Sequence, residues 1–221
     1  ATGGEPIPAL AALARGAFGD TNGLLRSLAK ATPLLFSGLA VAVGLKAGMF
    51  NIGAEGQLLV GGLAAAWTGY AIPGLPIWLH LPLALAVGAA AGAAWAFVPG
   101  ALRAWRGSHE VIVTIMMNYI AIQLTRLLVN GPMKDPNTMA SATPYVLPSA
   151  RLWKLEGGTN FSAGILLALL AAFAVHILLN RTALGMEIRA VGQGSRAARV
   201  AGITVARTMM IAMTISGALA G

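Results

Sequence analysis

Long apolar runs dominate this sequence. Its residues are 57% hydrophobic and only 10% charged, whereas a soluble domain usually carries about 25% charged residues. A hydrocarbon core about 30 Å thick requires roughly 20 apolar residues of helix, and several runs reach or approach that length. The 221 residues therefore predict an all-α fold, a polytopic transmembrane helical bundle with about six membrane segments.

The charge and residue types exclude several classes of function. The net charge of +8 is carried mainly by Arg, as the bias of basic residues toward cytoplasmic loops predicts, and no basic stripe with interleaved aromatic residues indicates nucleic-acid binding. The sequence has no cysteine, which excludes disulfides and cysteine-ligated zinc. No motif for nucleophilic catalysis, phosphate binding or a metalloprotease occurs. We therefore expect neither an enzyme nor a metal site.

The apolar runs divide the chain unevenly. Residues 1–31 are mixed and predict an interfacial or periplasmic segment with two short amphipathic helices, Ala9–Phe18 and Leu24–Lys30. Residues 32–221 form the predicted transmembrane domain. Because the chain starts outside an apolar run and stops within one, we expect this domain to be incomplete at both ends.

A polar, glycine-rich stretch interrupts the apolar pattern and predicts a broken helix pair near 46–57. Irregular backbone at membrane depth is stable only where it is buried in protein or lines a wet cavity. One interpretation is that Asn51, Glu55 and Gln57 line a substrate path. The other is a cytoplasmic turn in which Asn51 or Gly53 caps the next helix. The spacing leaves both interpretations open.

The predicted span Val111–Val129 is unusually polar, and polar side chains within a membrane helix are costly. At helical spacing they form two stripes. One interpretation places Asn118 on a substrate path. The other has one stripe bonding to a neighbouring helix while Arg126 snorkels to the outer interface. The stripes are Glu110, Thr114 and Asn118 on one face and Tyr119, Gln123 and Arg126 on the other.

The connection with the most Arg residues is 180–204, so the positive-inside bias places it in the cytoplasm. Alternation of the spans then places 130–160 outside. Within the cytoplasmic segment, Ser195 is predicted to be the N-cap of a short helix Arg196–Ala201, which Gly202 closes. A helix that docks on a partner and an ordinary solvated loop both fit this pattern.

Several motifs, in this order, closely resemble the permease subunits of bacterial ATP-binding-cassette importers of the branched-chain amino acid, ribose and nucleoside group. The nearest branch is that of the nucleoside or simple-sugar permeases. The resemblance covers nearly the whole chain, although family members are longer. The motifs are Asn51–Gln57, Glu110–Ile120, Gly131–Pro136, Gly185–Ile203 and Ser216–Gly221.

The resemblance implies a multi-pass subunit of the bacterial inner membrane that imports nucleosides by alternating access. Its implied partners are a second permease subunit, a cytoplasmic ATP-binding subunit and an extracytoplasmic substrate-binding lipoprotein. ATP binds the partner, and this chain is expected to bind no cofactor. Segment 180–204 matches the coupling loop that docks on the ATPase. The matching coupling residues are Gly185, Glu187, Arg189, Gly192, Ala197, Ala198 and Gly202.

The substrate itself is not determined by these motifs. Alternatives are a ribose or simple-sugar permease of the same type and an ion-coupled secondary transporter that works without an ATPase, with Glu55 as its ion site. A structural subunit without a path is disfavoured by its intramembrane polar residues. The residues predicted to lie near the substrate pathway are Asn51, Glu55, Gln57, Asn118 and Tyr119.

Overall fold

The computed structural model describes residues 6–155 and 161–221. Within them, four helices are long and apolar enough to cross a membrane: Thr21–Lys46, Ile77–Arg106, Glu110–Asn130 and Gly164–Arg181. The predicted all-α polytopic bundle is confirmed. The helices are α1 (Pro6–Phe18), α2 (Thr21–Lys46), α3 (Ala54–Ala71), α4 (Ile77–Arg106), α5 (Glu110–Asn130), α6 (Gly164–Arg181), α7 (Ala183–Gln193), α8 (Ser195–Val200) and α9 (Val205–Ala220), with a 3-10 turn at Pro148–Ala150.

Helix α2 is longer than the sequence predicts. The prediction of a separate short helix at Leu24–Lys30 is wrong, because these residues form the first part of α2, which continues through Pro33. A proline removes one backbone donor from a helix, but membrane helices tolerate this because neighbouring groups satisfy the freed carbonyl. The apolar residues that follow Pro33 therefore extend the existing helix.

The chain divides into two compact units, Ala1–Leu35 with Leu152–Leu170 and Phe36–Arg151 with Ala171–Gly221. In the first unit no residue of α1 is buried. Ser27 Oγ in α2 donates a 3.1 Å hydrogen bond to the carbonyl oxygen of Ala17. The interfacial position of residues 1–31 stays a prediction.

In the second unit, α4 packs along α3 and α9, and glycines bring the backbones close together. A Cβ atom on Gly92 would overlap the carbonyl oxygen of Gly217 in α9, and one on Gly88 would lie 3.1 Å from Cβ of Ala65 in α3. Small residues at this spacing allow close helix approach. Gly88 and Gly92 therefore serve the packing of α4 against its neighbours.

A buried apolar cluster joins the end of α2 to α6, α7 and α9. These side chains exclude water and lipid from the junction, and burial of this kind contributes roughly 25 cal/mol per Å² of apolar surface. Helix α7 is therefore packed into the bundle on one face. We call this set the junction cluster; it comprises Val43, Ala47, Met49, Val175, Leu179, Ile188, Ala212 and Met213.

His80, at the start of α4, forms hydrogen bonds both to the end of α3 and to the connection that follows α5. Its side chain is fully buried, with Nδ1 2.8 Å from Ser149 Oγ and Nε2 3.0 Å from the carbonyl oxygen of Thr68. In the neutral ring Nε2 carries the proton, because a carbonyl only accepts. The backbone N–H of Leu147 also donates to the carbonyl of Gly69 at 2.9 Å.

Candidate functional site

The break between α2 and α3 covers residues 47–53, within the predicted range. Just after the end of α2, Gly48 has the left-handed conformation, with φ 74°. The backbone N–H of Met49 returns to the carbonyl of Gly44 at 3.0 Å. This pattern is a glycine-terminated helix C-cap, so the chain turns sharply before α3 begins at Ala54.

Asn51 is the centre of a buried hydrogen-bond network in this break. Asn51 is 2% exposed and Gln57 is 1% exposed. Asn51 Nδ2 donates to Gln57 Oε1 at 2.9 Å and to Ser216 Oγ at 2.7 Å. Its Oδ1 accepts from Gly53 N and from Gln57 Nε2, both at 3.0 Å. Ser216 Oγ donates onward to the carbonyl oxygen of Ala40 at 2.5 Å, so the network joins the break to α2 and α9.

Gly53, not Asn51, occupies the N-cap position of α3, and it has no side chain to form a capping bond. Asn51 lies two residues earlier and stabilises the turn through its bond from the Gly53 amide, as Asn commonly does. The capping interpretation is thus correct in placing Gly53 at the N-cap.

Asn118 in α5 supplies the missing cap from a neighbouring helix. Its Oδ1 accepts a 2.9 Å hydrogen bond from the backbone N–H of Gly56, and its Nδ2 donates to the carbonyl of Ile52 at 3.0 Å. Gly56 is the third residue of α3, so its N–H has no partner within that helix. A Cβ atom on Gly56 would lie 2.8 Å from Asn118 Oδ1, which explains glycine at this position.

The two predicted stripes of α5 are confirmed as opposed faces. Glu110 and Thr114 are buried, and Asn118 is half-buried. On the other face Tyr119 is 64% exposed. The stripe continues through two further exposed residues, where Arg126 Nη1 donates to Gln123 Oε1 at 3.3 Å.

The structure therefore brings together Asn51, Gln57 and Asn118 around the start of α3, while Glu55 and Tyr119 lie on exposed surface. Ser216 belongs to the same network, although the sequence assigned it no individual role. Its only signal in the sequence is a hydroxyl within an apolar run. That the five predicted pathway residues contact substrate stays a prediction; they are Asn51, Glu55, Gln57, Asn118 and Tyr119.

Helices α7 and α8 form the segment predicted to couple to an ATPase. Thr182 caps α7 by accepting a 3.0 Å hydrogen bond from the Gly185 amide at Oγ1. The prediction that Ser195 caps α8 is wrong by one residue, because the N-cap is Gly194 and Ser195 is already helical. The extended backbone of Gly194, with φ −177°, lets α8 follow α7 directly. Gly202 closes the segment in the left-handed conformation at φ 84°.

Several predicted coupling residues are buried or hydrogen-bonded within the protein. Gly185 and Ala198 are buried. Glu187 accepts a hydrogen bond from Thr208 Oγ1 at 3.4 Å, and Arg189 Nη1 donates to Asn180 Oδ1 at 3.3 Å.

The outer surface of the segment is formed partly by predicted coupling residues and partly by residues that were not predicted. Ala197 and Gly202 are exposed, as are the cations Arg196 and Arg199. Val200 is the most exposed apolar side chain here, at 91%, and Met186 in α7 is 57% exposed. Neither Val200 nor Met186 was predicted from the sequence, because exposure of a single apolar residue has no local signature.

Together these features define a multi-pass helical membrane protein. A broken helix is held by polar side chains of two other helices, and a short helical pair projects an exposed apolar residue. A family model described as branched-chain amino acid transport system / permease component matches residues 23–221. The chain belongs to this permease family.

Curated relatives support the same assignment. The guanosine ABC transporter permease protein NupP of Bacillus subtilis is 45% identical over 95% of this chain and 61% of the relative. The nucleoside ABC transporter permease protein NupB of Lactococcus lactis subsp. cremoris is 34% identical over the whole chain and 63% of the relative. The glucose ABC transporter permease protein TsgB13 of Haloferax volcanii is 36% identical over 90% of the chain and 54% of the relative.

The chain thus spans between 54% and 63% of the length of these three relatives. No solved structure matches it significantly.

Proposed function

We propose that this chain is the permease subunit of a bacterial ATP-driven importer for nucleosides or a related small polar solute, located in the inner membrane. The observation that carries the proposal is the broken helix α2–α3, whose buried Asn51 network and Asn118 cap stabilise irregular backbone within an apolar bundle. Such backbone is tolerated in membranes only where it is buried in protein or lines a water-filled cavity, and broken helices of this kind form substrate sites in many transporters. The names of two relatives supply the substrate class.

The path would run along the exposed stripe of α5 and the start of α3. The exposed, hydrogen-bonded Gln123 and Arg126 are costly against lipid, which favours contact with water or a second permease subunit. Tyr119 offers an aromatic face for a nucleobase and a hydroxyl for a hydrogen bond. Asn51 and Gln57 already satisfy each other, so they hold the shape of the break.

The energy would come from a cytoplasmic ATP-binding subunit, and this chain would hydrolyse nothing. Helices α7 and α8 dock on that subunit through their outward surface. Val200, 91% exposed, is the apolar contact, and the neighbouring cations Arg196 and Arg199 surround it. Alternating access also requires a second permease subunit, and an extracytoplasmic lipoprotein delivers the substrate.

A simple sugar is the second candidate substrate, because the glucose permease relative is 36% identical to this chain. Nucleosides and sugars share ribose-like hydroxyl groups, whereas only nucleosides add a planar base. An aromatic residue on the exposed stripe of α5 favours the nucleoside.

Transport by the reconstituted complete transporter tests the proposal. Proteoliposomes containing the full-length permease with its ATPase are loaded with ATP, and uptake of labelled guanosine, uridine and glucose is measured with the lipoprotein outside. We expect uptake of nucleoside that requires both ATP and the lipoprotein. Glucose uptake alone would favour the sugar permease. Uptake driven by an ion gradient without ATP would contradict the proposal.

The docking surface has its own test in the same preparation. Val200→Glu places a charge on the proposed apolar contact and is expected to reduce recovery of the ATPase with the permease. The control is Met139→Glu, at a fully exposed loop position. Val98→Glu would not serve, because Val98 lies in a membrane span. Equal recovery of the ATPase with both variants would remove Val200 from the interface.

A further inference from the structure

The C-terminal part of α7 touches the end of α2 backbone to backbone, at two glycines that are both partly open to the surface. A Cβ atom on Gly192 would overlap the carbonyl oxygen of Lys46 and lie 3.0 Å from the amide nitrogen of Gly48. From the other side, a Cβ atom on Gly48 would lie 3.1 Å from Cα of Gly192. No side chain separates the two segments at this point, so a shift of one is transmitted directly to the other.

Gly48 also has a conformational requirement. Its φ of 74° is the left-handed conformation that ends a helix and favours glycine. Three residues later the chain reaches Asn51, which is bonded to Gln57 in α3 and Ser216 in α9. The backbone contact with Gly192 thus lies three residues from Asn51, which belongs to the buried network of the break.

The surrounding packing holds this contact in place. Ile188 of α7 is fully buried in the junction cluster with Val43, Ala47 and Met49 from the end of α2 and the break. Val191 is 3% exposed and packs with Ala198 and Val205. Helix α7 is therefore anchored to the start of the break on its inner face, while the outer surface of the α7–α8 segment remains available.

We infer that Gly192 and Gly48 form the joint through which movement of the α7–α8 segment reaches the break between α2 and α3. Both are positioning residues, and Gly192 acts through its backbone contact with the end of α2. The inference rests on the proposed function, since it assigns a path for the motion that ATP binding drives. Its consequence is that α7–α8 and residues 44–53 move as one body during transport.

The variant Gly192→Ala tests the joint, with Gly194→Ala as its matched control. The added methyl group at 192 must displace α7 from Lys46, whereas at Gly194 the nearest atom, Cβ of Ala197, is 3.8 Å away and the backbone is extended. In the complete transporter we expect Gly192→Ala to lower uptake about tenfold while ATP hydrolysis changes by less than about twofold. The control should retain both. Unchanged uptake by Gly192→Ala would overturn the inference.

A measurement on the unaltered complex decides the case if Gly192→Ala does not assemble. Hydrogen exchange is compared between the nucleotide-free complex and the complex trapped with ADP and vanadate. We expect peptides covering residues 44–53 to change protection together with those covering 183–203. A change in 183–203 with none in 44–53 would overturn the joint. Failure of the proposed function would differ from both results, because the unaltered complex would then show no ATP-dependent uptake.

Discussion

Asn51 and Ser216, 165 residues apart, are joined by a 2.7 Å hydrogen bond from Nδ2 to Oγ. The bond lies in the buried interior, and Ser216 Oγ in turn donates a hydrogen bond to the backbone carbonyl of Ala40 in α2. Helix α9 and the region around the α2–α3 break, which are distant in the sequence, are thus joined in one network. Because these side chains are buried, each of the polar groups depends on the others for its hydrogen bonds.

Replacing Asn51 by Leu should destabilise the protein strongly. The change leaves the polar groups of Gln57, Gly53 and Ser216 without their partner, at about 1–3 kcal/mol for each buried group left unsatisfied. Thermal unfolding of the purified protein in detergent should show a midpoint lowered by at least about 5 °C. Asn22→Leu, at an exposed position, is the control and should leave the midpoint nearly unchanged. A similar midpoint for both variants would show that the network contributes little.

The cap that Asn118 provides predicts a ranking of two substitutions. Asn118→Asp keeps an acceptor for the Gly56 amide, and its negative charge lies at the positive end of α3, although the bond to Ile52 is lost. Asn118→Leu loses both bonds. We therefore expect Leu to lower the unfolding midpoint more than Asp, by a difference of about 1–2 kcal/mol in stability.

Uptake kinetics of the same two variants test contact with substrate. A pathway residue whose amide binds solute should raise KM in both variants, whereas a purely capping residue should affect only the Leu variant. Equal midpoints and normal uptake for both would remove Asn118 from the site altogether.

The exposed stripe of α5 should be reached by water. Since the chain contains no cysteine, single cysteines can be introduced without background. Gln123→Cys should react in intact membranes with a charged methanethiosulfonate reagent, because polar side chains on this face require water or polar partners. Phe173→Cys, exposed on the apolar helix α6, should face lipid and remain unlabelled. Labelling of position 173 but not 123 would contradict the proposed path.

The buried ring of His80 should matter for the connection after α5. His80→Phe fills similar space but loses both hydrogen bonds, leaving the Thr68 carbonyl and Ser149 hydroxyl unpaired by this ring. We expect a loss of about 1–3 kcal/mol in stability and faster proteolysis within residues 140–150. His109→Phe changes an exposed histidine and should do neither. Identical proteolysis of the two variants would show that His80 does not hold this connection.

Much of the architecture follows from local patterns in the sequence. The length of the apolar runs predicts membrane helices, and polar residues with glycines predict the break at residues 47–53. The 3.6-residue period separates the buried Thr114 from the exposed Tyr119 on α5. The continuity of α2 through Pro33 was not predicted, because an interior proline usually breaks or kinks a helix in water, whereas membrane helices tolerate it.

The sequence alone thus determined the helical class, the position of the break and the two faces of α5, since each depends on residues within a few turns of one another. Only the tertiary structure decided that Ser216 completes the Asn51 network, that Asn118 caps α3, and that Gly192 lies against the backbone of Lys46. The hydrogen bond of Asn118 to Gly56 joins residues 62 positions apart, and that of Asn51 to Ser216 joins residues 165 positions apart. They arise from the packing of whole helices, which has no periodic signature in the chain.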